Sequence, residues 1–149
     1  MDMNVKPSEF LALLATINPS LQAVGSLTTG WIPMGNVHSL LAIIATGTLG
    51  ASATVDANLQ QAQDATGTGA KPLTGKAITT IPAATGNNSQ ALINLQAQEL
   101  DVNNGYGFVE LTITVGVAAS ETAGILLGAS TRYEPASAFN AASVSQILM

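Results

Sequence analysis

Glu99 and Asp101 stand two apart in sequence, just ahead of Asn103-Asn104-Gly105, with Glu110 a short way on. Paired carboxylates can divide general acid and base work between them when their environments differ. No histidine or lysine motif accompanies this pair, and acids beside an Asn-Gly sequence are the ordinary material of a turn. A solvated turn is therefore expected. The stretch from Gly69 to Gly75-Lys76-Ala77 approaches a phosphate-binding loop, in which backbone amides cradle phosphate and a hydroxyl after the lysine holds magnesium. Five residues separate the glycines where that loop has about four, and alanine replaces the hydroxyl, so the stretch reads as a Gly- and Thr-rich connection. His38, the single histidine, precedes an apolar run and has no G-x-S-x-G or other nucleophile motif to serve. Bases and metal ligands come in constellations, which leaves His38 as a hydrogen-bonded structural residue. Nor do the acids follow the spacing of an EF-hand calcium loop. No catalytic, cofactor-binding or metal-ligating residue is assigned, no cofactor is implied, and an enzyme is the least expected class.

Trp31, the only tryptophan, is followed by Ile32 and Pro33 and is expected to anchor a first strand and plug one end of the core. As a platform for a sugar it would stand nearly alone, because only 4% of the chain is aromatic.

The elements that must position these residues belong to a chain with 9% charged side chains, against about a quarter in an ordinary soluble domain. Its surface has to be built from Thr, Ser, Asn, Gln, Gly and Ala, which lose less than ions do on leaving water. Such a surface suits a protein whose outside becomes covered by neighbours. The 149 residues fit one domain, and a fold of that size buries roughly 70% of the surface its unfolded chain exposes. The absence of cysteine excludes disulfides and thiolate chemistry. The net charge of -5 sets nine acids against Lys6, Lys71, Lys76 and Arg132, whose scatter argues against nucleic acid as a partner. The most apolar run, Ser39 to Ala53, is shorter than the ~20 residues of a bilayer-spanning helix and is diluted by Gly and Thr, so no membrane partner is expected. The first residues lack the basic stretch and cleavage site of a secretion signal, which leaves the sequon Asn87-Asn88-Ser89 without a use.

Val109, Leu111, Ile113, Val115 and Val117 alternate with Glu110, Thr112 and Thr114, the period of a strand with one face on a core. Val55, Ala57 and Leu59 repeat the pattern between Asp56, Asn58 and Gln60, as do Ala91, Ile93 and Leu95, where Leu92 breaks the alternation as an exposed or interface residue. Leu40 to Ala45 and Ile125 to Leu127 are apolar on both faces, as in a central strand sandwiched between layers. Gly- and Ser-rich punctuation between these runs has the spacing of an all-β sandwich. The segments 46–54 and 114–122 echo each other through a shared Ala-Ser-x-Thr, and both read as hairpin turns.

The two ends differ from the middle. Ser8 is placed to cap a helix from Glu9 to Ile17, with Phe10, Leu13, Leu14 and Ile17 on one stripe and Asn18-Pro19 as its stop. Beyond Ala129 the alternation fades, and Arg132, Tyr133, Phe139, Val144, Ile147 and Leu148 follow. The organisation expected is an N-terminal arm at 1–20, a sandwich at 21–132 and an extended C-terminal tail at 133–149. The candidate interface residues are Phe10, Leu13, Leu14, Ile17, Arg132, Tyr133, Phe139, Val144, Ile147 and Leu148.

Across the middle two-thirds, Gly50-Ala51-Ser52-Ala53-Thr54-Val55-Asp56-Ala57, Glu99-Leu100-Asp101-Val102-Asn103-Asn104-Gly105 and Arg132-Tyr133-Glu134-Pro135-Ala136 are the most specific stretches. The chain resembles a family of small proteins encoded among the head and virion-structure genes of tailed bacteriophages and prophages. The resemblance implies a virion structural protein that decorates or cements the capsid, assembled in the bacterial host cytoplasm. With the low-charge surface, it leads to an antiparallel β-sandwich, all-β and jelly-roll-like, with a short N-terminal helical arm and an extended tail. A homo-oligomer, a trimer by preference, would contact the major capsid protein subunits. The alternatives are a head–tail connector or tail-associated part, and a carbohydrate-binding or adhesin sandwich.

Overall fold

Period-two alternation shapes most of the molecule, whose computed structural model describes residues 4–149. One helical turn, α1 (Pro7–Phe10), leads into β1 (Leu11–Gln22), β2 (Gly25–Thr28), β3 (Ile32–Pro33), β4 (Val37–Thr46) and β5 (Thr54–Ala62). There follow β6 (Lys71–Ala77), β7 (Ile81–Pro82), β8 (Gln90–Gln96), β9 (Phe108–Gly116) and β10 (Ser120–Thr131). The strands β1, β10, β4 and β8 form one antiparallel sheet in that order. The second sheet runs β2, β9, β5, β6, with the short β3 on β9 and β7 on β5. Every step between consecutive long strands, except β5 to β6, passes from one sheet to the other. That interleaving is the topology of a jelly roll. The expected all-β sandwich is therefore the fold of this chain.

The core lies where the alternating residues of both sheets meet. Leu40, Ala42, Ile44 and Leu126 face Val55, Leu59, Leu111 and Ile113, and none of these eight is more than 2% exposed. The sheets approach closely at β10, where Gly124 takes an inward position. A Cβ added there would stand 3.0 Å from Leu111 Cδ2 and 3.2 Å from Ile113 Cδ1.

Four expectations are corrected. The helix over Glu9 to Ile17 shrinks to Pro7–Phe10 with Lys6, not Ser8, at its N-cap, and Leu11–Gln22 is an edge strand paired with β10. The apolar residues can serve either period, and β10 has a row of backbone groups that only a neighbouring strand satisfies. Register shifts between Leu13 and Ala15 and between Ile17 and Ser20 absorb the mismatch, the second of them at Asn18-Pro19. Proline is tolerated there because an edge bulge asks for no donor. Half of the segment read as an arm, 1–20, thus belongs to a sheet.

Val117, expected to continue the core face of β9, is 68% exposed with a φ of 71°. It begins the turn instead. The segments 46–54 and 114–122 are not hairpins, since each carries the chain from one sheet to the other. They lie against each other at one end of the sandwich: Gly47 N donates to Glu121 O at 2.9 Å, and Gly50 N donates to Ser120 Oγ at 3.1 Å. Finally, the doubly apolar Leu40 to Ala45 is covered on one face only, because the fold has two layers and β4 belongs to an outer one.

Candidate functional site

The consequence is a sheet whose outer face is apolar at its centre, on β4 and β10, and polar along β8, where exposed Gln90, Asn94 and Gln96 flank Leu92. On β4, Leu41, Ile43 and Ala45 point away from the core; on β10, Ala123, Ile125, Leu127 and Ala129 do the same. Antiparallel register places Leu41 opposite Leu127, Ile43 opposite Ile125 and Ala45 opposite Ala123. Leu92 of β8 sits opposite Ile43 and is 60% exposed, and Leu13 of β1 sits opposite Leu127. α1 and the 3-10 turn at Ala136–Phe139 lie against β1 and β10, and Leu41, Ile43, Ile125 and Leu127 are half-buried.

The other sheet is built oppositely. Its outer face carries Ser26 and Thr28 of β2, Glu110, Thr112 and Thr114 of β9, and Asp56, Asn58 and Gln60 of β5. The cross-strand partners are polar throughout: Asp56 with Thr114, Asn58 with Thr112, Gln60 with Glu110. Ser26 Oγ and Thr114 Oγ1 share a hydrogen bond at 2.9 Å. Thr80 adds a hydrogen bond to Asp56 from the neighbouring loop. Burial raises the Glu110 carboxyl above its ordinary range, partly offset by a hydrogen bond from Thr28.

Two lysines and two of the acids pair away from the apolar face. Lys71 Nζ lies 2.6 Å from Asp101 Oδ2 and 4.2 Å from the centre of the Tyr106 ring. Lys76 Nζ lies 2.9 Å from Glu99 Oε1 and donates to Asn94 O at 2.7 Å. The hydrogen bond from Lys71, with that from Asn104, lowers the Asp101 carboxyl below its usual range, and the backbone amide of Gln96, with Lys76, lowers Glu99. This carboxylate pair is a staple between β6 and the turns after β8. Glu121 stands at one corner of the apolar face, where its carboxylate accepts from Thr48 N at 2.8 Å.

The stretch compared with a phosphate-binding loop runs mostly as β6, and the turn before it, at residues 64–68, is closed by its own carboxylate. Asp64 Oδ1 accepts from Thr66 N at 2.9 Å and Thr68 N at 3.1 Å, and the two threonine hydroxyls bond to the same carboxylate. Those bonds, led by the Thr68 hydroxyl, hold Asp64 well below the usual carboxylate range. The loop also closes over Trp31: a Cβ at Gly67 would stand 2.6 Å from Trp31 Nε1. His38 stands exposed at the second position of β4.

The residues expected at an interface are dispersed. Ile17 is 4% exposed and belongs to the core, which corrects its assignment as a contact residue, and Leu14 packs against the core from its margin. Leu13 joins the apolar outer face. Phe10 and Phe139 are half-buried where α1 meets the 3-10 turn at Ala136–Phe139. Arg132 is exposed, its backbone N–H donating to Asn36 O at 2.9 Å, and Tyr133 is 68% exposed. The tail is fastened to the free edge of β1, where Leu13 N donates to Asn140 Oδ1 at 2.8 Å and Ala141 N to Leu13 O at 2.7 Å. Val144 is half-buried beyond that point, and Leu148 is 88% exposed.

Leu41, Ile43, Ile125 and Leu127 were legible in sequence as an apolar run on both parities. What their pattern lacked was the number of layers in the fold.

No family model matches the chain, and no curated protein matches it. Among solved structures it is similar to a chain of Broad Bean Stain Virus, at 10% identity and a TM-score of 0.44 over 91% of this chain and 97% of that one. It is also similar to a chain of Triatoma Virus, at 5% identity and a TM-score of 0.49 over 92% and 72%. A third similarity is to the CBM22-2 xylan-binding domain of Xyn10C from Paenibacillus barcinonensis, at 10% identity and a TM-score of 0.41 over 81% and 99%. None is close enough in sequence or shape to transfer a role to this chain.

Proposed function

We propose that this chain is a virion structural protein of a tailed bacteriophage or prophage, a decoration or cement protein that ties neighbouring capsid subunits together. The single observation that carries the proposal is the apolar centre of the outer face of the β1-β10-β4-β8 sheet, Leu41, Ile43, Ile125 and Leu127 with Leu92 beside them, on a jelly roll whose other face is polar. An apolar patch rimmed by polar residues marks a surface meant to be covered. The phage-like stretches of sequence supply the identity of the cover: subunits of a capsid shell.

The mechanism is contact area repeated over a lattice. Each Leu or Ile fully buried at such a contact contributes about 1.5–3 kcal/mol before ordering costs, and many copies on one shell convert modest contacts into avidity. The low charge of the chain keeps the desolvation cost small. The polar sheet then faces solvent. The loop at Gly67 packs against the Nε1 edge of Trp31, which is half-buried.

Quantifying the protein in purified particles tests the proposal. Many copies spread over the shell are expected. A few copies at one vertex would make it a connector or tail-associated part instead, and its absence from particles would end the proposal.

A further inference from the structure

Beside the apolar centre of the outer face lies a groove of about 450 Å³, bounded by Pro19 and Leu21 of β1, Ala123 and Glu121 of β10, and Ala45 and Gly47 at the end of β4. Register explains its depth. Ala45 stands opposite Ala123, the small pair of the outward positions, and the larger Ile43 and Ile125 begin one row on. Leu21 stands opposite Glu121, and Gly47 N donates to Glu121 O at 2.9 Å, so the carboxylate sits between a leucine and a glycine at the groove's end. We propose that this groove takes a lysine side chain of the capsid subunit that covers the face, with its stem over the two alanines and its ammonium on Glu121. The inference rests on the proposed role, which makes this side of the sheet the covered one.

Charge argues for a cation. Glu121 is exposed, and its carboxylate accepts one hydrogen bond, from Thr48 N to Oε2 at 2.8 Å. A carboxylate covered without a counter-charge bears its full desolvation cost, whereas one met by a cation recovers much of it. The side-chain cations of this chain do not supply that charge. Lys71 and Lys76 are paired with Asp101 and Glu99. Lys6 and Arg132 flank Leu11 and Ala129, which pair at the opposite end of the sheet. His38 is exposed near the far end of β4, nine residues from Gly47, or about 30 Å. The carboxylate at the end of the chain has the same sign as Glu121. A cation for Glu121 therefore comes from the covering protein.

Shape argues for lysine over arginine. Oε2 is already engaged by Thr48 N, so the carboxylate does not present two free oxygens to a guanidinium fork, while a compact ammonium needs only one acceptor. Ala123 stands two residues, about 7 Å, from Glu121, a span that suits an aliphatic stem carrying its charge at the tip. Leu21, 68% exposed, gives that stem a further apolar wall.

Particles assembled without this chain, with the purified chain added back, provide the test. One portion of the particles is acetylated at lysine, which removes the charge, and another is guanidinated, which keeps it. The readout is the chain concentration at half-saturation. The parent is expected to bind acetylated particles about tenfold more weakly or worse, and guanidinated particles with a smaller loss. Glu121→Gln still accepts from Thr48 N; it should bind untreated particles about tenfold more weakly and lose nothing further on acetylated ones. Ala123→Leu fills the groove without altering the carboxylate and should weaken binding too. A Glu121→Gln variant that binds untreated particles as tightly as the parent overturns the inference. So does an equal loss on acetylation for parent and Glu121→Gln, which would place the particle's lysines elsewhere. Undiminished binding of the parent to acetylated particles also overturns it, and leaves an arginine or a second copy as the source of charge. In each of these outcomes the parent still binds untreated particles and the proposed role stands; a parent that binds none ends both.

Discussion

Ile43 on β4 and Ile125 on β10 lie directly opposite each other in antiparallel register, and both point away from the core. Their sequence neighbours Ile44 and Leu126 point into it and are fully buried. One residue of displacement along either strand therefore separates a core side chain from a surface one, with no change in hydrophobic character.

Substitution at the two isoleucines should separate accordingly. Ile44→Ala removes packed core and is expected to cost about 2–5 kcal/mol of unfolding free energy. Ile43→Ala in the isolated chain should cost less than about 1 kcal/mol. Urea denaturation of the two variants checks the contrast; equal losses would mean that the outer face is already covered within one chain.

Gly124 is required by the approach of the two sheets. Gly124→Val would drive its side chain into Leu111 and Ile113, whose methyl groups already stand within 3.2 Å of an added Cβ. Overpacking of this kind typically costs about 1–3 kcal/mol, and a lowered melting temperature is the expected reading.

The Lys71–Asp101 and Lys76–Glu99 pairs make stability depend on acid in a stated direction. Both carboxyls are lowered in the folded chain, so the unfolded chain binds more protons as pH falls. Their contribution is present above the ordinary carboxyl values of 3.8 for Asp101 and 4.5 for Glu99, and is lost as pH falls through the lowered folded values. Lys71→Met lets the folded Asp101 value return toward 3.8 and should shrink the acid loss associated with Asp101, leaving a variant slightly less stable than the parent at neutral pH, where exposed pairs count for little, with the difference closing as pH falls. Urea midpoints measured from pH 7 downward give the comparison.

Glu110 should behave oppositely. Its carboxyl is raised by burial, so the folded chain holds the proton more tightly and stability declines as pH rises above the ordinary value of 4.5. Glu110→Gln keeps the shape and removes the titration. The variant is expected to gain stability over the parent progressively above that pH, in the same urea measurements.

Much of the fold was legible because alternation is a local signal. Val55, Leu59, Leu111 and Ile113 were read as core from period two alone, and they are core. Leu11 to Ile17 was misread because its apolar residues satisfy a helical stripe and a bulged strand alike, and the choice was made by the open edge of β10, far away in sequence. The turns at 46–54 and 114–122 were misread because small residues suit any tight reversal, and only the partner strands decide whether a turn closes a hairpin or crosses between sheets. The apolar outer face was present in the sequence as Leu41, Ile43, Ile125 and Leu127, but nothing local states that a doubly apolar strand lies in an outer layer. The lysine partners of Asp101 and Glu99 were invisible for a similar reason: Lys71 and Lys76 are brought to them where the β6 edge of one sheet lies beside the β8 edge of the other, at separations of 30 and 23 residues along the chain.

An image of the assembled particle, at a resolution that shows strands, tests the proposed role most directly. The expected result is the jelly roll lying on the shell with Ile43, Ile125 and Leu92 covered by neighbouring protein, and with Asp56, Glu110 and Thr114 turned to solvent. A particle in which the polar sheet makes the contacts and the apolar sheet stays bare would contradict it.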